Sequence, residues 1–138
     1  MTCFPLKVVT PDGLIFDGQA QMVKVRSVNG DMAVMARHIN CVVPLGMGQA
    51  VIVDADGNRR TAACIGGMLS VVGGEVSLIP TTFEWSDQID AKRAEASLKR
   101  AESILSSDKA SDTEIRLAEA RLKRALIRKS VAQSHTIY

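Results

Sequence analysis

Asp90, Arg93 and Arg100 are the residues of this 138-residue chain whose types and spacing could do chemistry. Asp90 and Arg93 are three apart, so on a helix they share one face. Arg100 lies one heptad beyond Arg93 and falls near the same face. A carboxylate and two guanidinium groups along one stripe could be a solvated salt-bridge row, which contributes little. They could also clamp a polyphosphate, because a planar guanidinium donates in pairs to phosphate oxygens. Arg124 and Arg128 are four apart and share a face of a second helical segment.

The elements that must position these groups change character near residue 85. Up to about residue 83, short apolar runs alternate with turn signals such as Pro11-Asp12-Gly13, Asp17-Gly18, Asn29-Gly30, Asp56-Gly57-Asn58, Gly66-Gly67 and Gly73-Gly74. Gly and Asn supply the positive φ of tight hairpins. Many short strands at regular spacing predict an antiparallel β-sandwich or flattened barrel. Ser86 or Asp87 can then cap a helix beginning near Gln88. Ala91, Ala94, Leu98, Ala101 and Leu105 follow a heptad, and the polar stretch Ser106–Asp112 breaks it. Ser111 with Glu114 resembles a capping box. A second helix is expected from about Thr113 to Gln133, with a seam of Ile115, Ala118, Leu122 and Ala125 and with Leu126 beside it. The tail from Ser134 to Tyr138 should fray. The expected organisation is an α+β chain: a β-sandwich over residues 1–84 and an antiparallel α-helical hairpin over 85–138. In such a hairpin the end of the second helix lies beside the start of the first, so Arg93, Arg100, Arg124 and Arg128 could converge.

Composition narrows the function. The net charge of +2 and the scarcity of aromatics argue against nucleic-acid binding. Residues 1–85 carry six Lys/Arg and seven Asp/Glu, and residues 86–138 carry eleven and eight. The helical half is therefore the more charged, which suits a segment that meets an acidic partner. Cys3, Cys41 and Cys64 have neither disulfide nor zinc spacing. No Gly-rich phosphate loop of the hydrolytic type is present, and no residues are spaced as a catalytic set or metal site. Asp54–Asn58 lacks the later Glu of a calcium loop and reads as a hairpin turn. No stretch approaches a membrane span and no targeting pattern is seen, so a cytoplasmic chain is expected.

The chain resembles the epsilon subunit family of bacterial F-type ATP synthases. Val9-Thr10-Pro11-Asp12-Gly13 with Phe16 and Gly18, then Gly30, His38, Ile65–Val71 and Ile89-Asp90-Ala91-Lys92-Arg93-Ala94 carry the resemblance, which covers nearly the whole chain. It implies a non-catalytic rotor subunit, peripheral on the cytoplasmic face of the membrane. The partners implied are the gamma subunit, the ring of c subunits and the alpha–beta catalytic hexamer. It further implies a mobile hairpin that inhibits ATP hydrolysis when extended. No cofactor is required, but ATP is a regulatory ligand of the compact form in several members. The family motif I(L)DxxRA is matched at every fixed position, by Ile89, Asp90, Arg93 and Ala94. Glu84, Arg100, Arg124 and Arg128 fall on the family's other ATP-binding positions. Asp31 and His38 fall in the loop region facing the rotor partners. Arg121 and Lys123 belong to the basic run that would meet acidic surface on the beta subunit. One departure stands out: Ala36-Arg37-His38-Ile39-Asn40 replaces a Pro-Gly-His-Ala-Pro-like stretch, which leaves that loop's backbone open. Two rival readings remain: a free-standing ATP-responsive binding module, and a structural adaptor whose hairpin only packs.

Overall fold

The computed structural model describes residues 2–137. Seven strands come first: β1 (Phe4–Thr10), β2 (Gly13–Ser27), β3 (Gly30–Val34), β4 (Cys41–Pro44), β5 (Met47–Asp54), β6 (Arg59–Val72) and β7 (Glu75–Trp85). A 3-10 turn, Ser86–Gln88, leads to helices α1 (Ala91–Leu105) and α2 (Asp112–Ile137). The chain divides after Trp85 into two compact units.

In the first unit alternation sets the faces. Along β1, Phe4, Leu6, Val8 and Thr10 are buried while Pro5, Lys7 and Val9 are exposed, the period of two of a pleated strand. The core gathers Leu6, Val8, Val23, Val25, Ile52, Leu69, Val71 and Leu78, mostly β-branched side chains suited to a pleated surface. Strand order runs β1-β7-β6-β5-β2, and β1 also pairs with β2, so the ring closes as a flattened barrel. All pairings are antiparallel except β1 with β7, which run parallel from Leu6↔Val76 to Val8↔Leu78.

Two of the expected turns are not turns. Asp17-Gly18 lies within β2, with Gly18 opposite Leu6. Gly66-Gly67 lies within β6, at the place where that strand exchanges partners. Its first half pairs with β5 as far as Ile65, and its second half pairs with β4 from Met68. A Cβ on Gly67 would sit 2.1 Å from the Ile79 carbonyl oxygen, and its φ is 98°. The pair is therefore a corner of the sandwich, made where backbone passes against backbone. Gly73-Gly74 does form the β6–β7 hairpin, with φ of 58° and 83° at its two residues.

In the second unit the cap of α1 is Asp90, not Ser86 or Asp87. Its Oδ1 accepts from the Arg93 amide at 3.1 Å, satisfying one of the orphan donors of the first turn. Ser111 caps α2, its Oγ accepting from the Glu114 amide at 3.2 Å. Ala94, Leu98, Ala101, Ala118, Ala125 and Val131 are buried, whereas Ala91 and Leu126 are exposed. The helix α2 passes Gln133 and runs to Ile137, because neither Gly nor Pro intervenes to stop it. Tyr138 lies outside the described residues.

Candidate functional site

The hairpin has two different flanks. At about 100° per residue, the buried Ala94, Leu98 and Ala101 mark the inward stripe of α1. Arg93 and Arg100 then fall to one side of it, Glu95 and Lys99 to the other, and Ala96 on the back. On α2, Ala118 and Ala125 mark the stripe. Arg121, Arg124 and Arg128 fall to one side, Lys129 and Gln133 to the other, and Lys123 on the back.

One ion pair fixes how these flanks combine. Lys129 Nζ lies 2.9 Å from Glu95 Oε2, so those two flanks share a side of the hairpin. The arginine flanks must then share the opposite side. The same pair sets the axial register. With residue 95 level with 129, Arg100 is level with Arg124, and Arg128 falls between them and Arg93. Arg93 and Arg100 are about 10 Å apart along α1, at 1.5 Å per residue. The register thus brings the four sequence-predicted arginines onto one strip. Arg93, Arg100 and Arg124 are exposed and make no ion pair among the described residues, while Arg128 is half-buried. Like charges on one strip favour an anion along it, and guanidinium forks fit phosphate oxygens.

The other expected ligand residues hold more structural posts. Asp90 and Arg93 are joined through the Arg93 amide rather than through the guanidinium. Ala94 is buried in the helix seam and Ile89 is half-buried. Glu84 is half-buried on β7 opposite Ala63, in the first unit. Beside it, Trp85 packs edge-on to Phe83 with ring centroids 4.9 Å apart, and the Arg60 guanidinium lies 3.7 Å over the indole. Sequence reasoning passed over Arg60, yet the hairpin count reaches it. From the Gly73-Gly74 turn the β6–β7 register holds to Ala62↔Trp85, two residues from Arg60.

In the loop region of the first unit, Asp31 stands opposite Arg26 on paired strands and bonds its Nε at 2.8 Å. His38 Nδ1 lies 2.9 Å from the Ile39 carbonyl oxygen. A carbonyl only accepts, so in this contact Nδ1 carries the proton and donates. Arg37 has φ of 68°, a left-handed conformation, at the place of the family's glycine. The loop keeps the turn that the glycine would have eased, and Asn40 Oδ1 fastens it by accepting from the Gly73 amide at 3.0 Å.

Both units match one class of protein, subunits of ATP synthase. Residues 3–86 match the family described as ATP synthase, Delta/Epsilon chain, beta-sandwich domain. Residues 87–133 match its long alpha-helix domain. The ATP synthase epsilon chain of Bacillus velezensis is 40% identical over 132 residues, covering 96% of this chain and 98% of its own. That of Exiguobacterium sp. is 39% identical over 131 residues, covering 95% and 96%. The fold is also that of a chain in the Euglena gracilis mitochondrial ATP synthase, in a structure of its OSCP/F1/c-ring part. There the TM-score is 0.81 at 18% identity, over 100% of this chain and 83% of that one. The chain belongs to the ATP synthase delta/epsilon family, and within it to the epsilon subunits of the bacterial F-type enzyme.

Proposed function

We propose that the chain is a non-catalytic subunit of the central rotor stalk, which couples rotation to ATP synthesis and restrains ATP hydrolysis through its helical hairpin. Its partners are the gamma subunit and the c ring, met by the first unit through the Asp31 and His38 region, and the alpha–beta hexamer, met by the hairpin. It is held at the cytoplasmic face of the membrane by those partners; no described helix is long and apolar enough to cross a membrane.

The observation that carries this reading is the arginine strip. It draws on both helices, so it exists only while α1 and α2 lie side by side. A bound ATP, its phosphates on Arg93, Arg100, Arg124 and Arg128, favours the compact hairpin and opposes the extended, inhibitory one. At a ligand concentration a hundredfold above Kd this bias is about 2.7 kcal/mol. Arg124 and Arg128, with Arg121 and Lys123, then pair with carboxylates of the beta subunit when the hairpin opens. The two states compete for the same cations.

The test is a chain ended after Trp85, the last residue of the first unit, assembled with its partner subunits. Assembly should persist and ATP hydrolysis should rise. Unchanged hydrolysis in the assembled truncated complex would remove the inhibitory role and leave a structural adaptor.

A further inference from the structure

Asp31 is held by its neighbours at two levels before any partner reaches it. Its backbone belongs to the β2–β3 hairpin, and the buried Ser27 fastens the tip of that hairpin. The Ser27 Oγ accepts from the Asn29 amide at 3.1 Å and donates to the Gly30 carbonyl oxygen at 2.7 Å. Its side chain accepts from Arg26 Nε at 2.8 Å, across the same hairpin. On the reading that this region meets the rotor partners, we propose that Arg26 is a positioning residue, which presets the Asp31 carboxylate for that contact.

Arg26 can do this because it is itself seated. A Cβ on Gly48 would lie 2.5 Å from the Arg26 Cβ, 3.0 Å from its Cγ and 3.7 Å from its Nε. The stem of Arg26 therefore runs along Gly48 as far as the nitrogen that holds Asp31. A Cβ on Gly46 would lie 3.6 Å from the same Cγ, so the two glycines leave a trough beneath the stem. Neither glycine has a positive φ. Space, not backbone conformation, is what calls for glycine at residue 48. The trough is also tied to β2, since the Gly46 amide donates to the Arg26 carbonyl oxygen at 2.9 Å.

The pair does little for the fold. Its two side chains are 51% and 47% exposed, and ion pairs of that exposure contribute little to stability. What it supplies is order. Immobilising a free side chain on binding weakens an interface about two- to tenfold. With Arg26 in its trough, that cost for Asp31 is met before the partner arrives. A guanidinium suits the post better than an ammonium, because its planar fork is rigid and can lie flat against backbone.

The test is the affinity of the full chain for a complex of gamma subunit and c ring assembled without it. Asp31→Ala should weaken binding. Arg26→Gln should weaken it about two- to tenfold, while the Tm of the free chain stays nearly unchanged. The double variant should lose no more than Asp31→Ala alone, since Arg26 acts only through Asp31. Arg26→Lys should recover part of the loss. Undiminished binding by Arg26→Gln, with Asp31→Ala weakened, would overturn the positioning role and leave the partner contact standing. Losses that add in the double variant would also overturn it, by showing Arg26 in contact with the partner on its own account. Undiminished binding by Asp31→Ala would remove the partner contact of this region, and the positioning role with it.

Discussion

Replacing Gly67 with Ala should be among the most damaging single-methyl changes in the first unit. Two costs combine. The residue has φ of 98°, where an L side chain is strained by about 1–2 kcal/mol. The new Cβ would also lie 2.1 Å from the Ile79 carbonyl oxygen and 2.6 Å from the Pro80 Cα, and both contacts are backbone that no rotamer change can move. Relief requires β7 to draw away from β6 at the corner, beside the fully buried Leu69 and Leu78. We expect a total loss of about 3–5 kcal/mol, the upper range for point mutations. Gly73→Ala supplies the control. Its φ of 58° carries the conformational strain, but a Cβ there meets nothing within 4 Å, so its loss should stay near ~1 kcal/mol. Urea unfolding followed by the fluorescence of Trp85, the single tryptophan, measures both. Equal losses in the two variants would refute the corner argument and return Gly66-Gly67 to the status of a simple turn.

Three further outcomes follow from particular residues. Arg37→Gly should stabilise the chain by up to ~1 kcal/mol in urea unfolding, because glycine takes the left-handed φ of 68° without strain. Glu95 has its folded-state pKa lowered, chiefly by the Lys129 hydrogen bond. The stability it lends is therefore present above the usual Glu range and is lost as pH falls through the lowered value. Comparing acid unfolding of the normal chain and Glu95→Gln should show that component missing from the variant. The Cys64 thiol is pushed up to about 12 by burial, so at pH 8 a thiol-specific reagent should modify Cys64 only after unfolding. The half-buried Cys3 and Cys41 should react in the folded chain.

The strand-rich first half, the helical hairpin and its loop were legible because alternation, heptads and turn residues are local signals. What escaped was set by neighbours distant in sequence. Gly66-Gly67 and Gly73-Gly74 read alike in the chain. Only the approach of Ile79 and Pro80 makes the first pair a corner of one strand and leaves the second a hairpin. Ser86, Asp87 and Asp90 are all good caps; Asp90 holds the post because its own oxygen reaches the Arg93 amide while Ser86–Gln88 coils into a separate turn. The arginine strip was partly legible. Helical period placed its members on shared faces, but which faces meet depends on the register between α1 and α2, and that is given by Glu95 and Lys129.

The central claim is that the arginine flank makes the compact hairpin a nucleotide-binding unit. Titration of ATP into the purified full chain by calorimetry tests it most directly, together with the Arg93→Ala/Arg124→Ala variant. The account predicts saturable one-to-one binding to the normal chain and its loss in the variant, with the unfolding of the apo proteins unchanged because neither arginine is buried or ion-paired among the described residues. No heat at millimolar ATP, or equal binding by the variant, would contradict it.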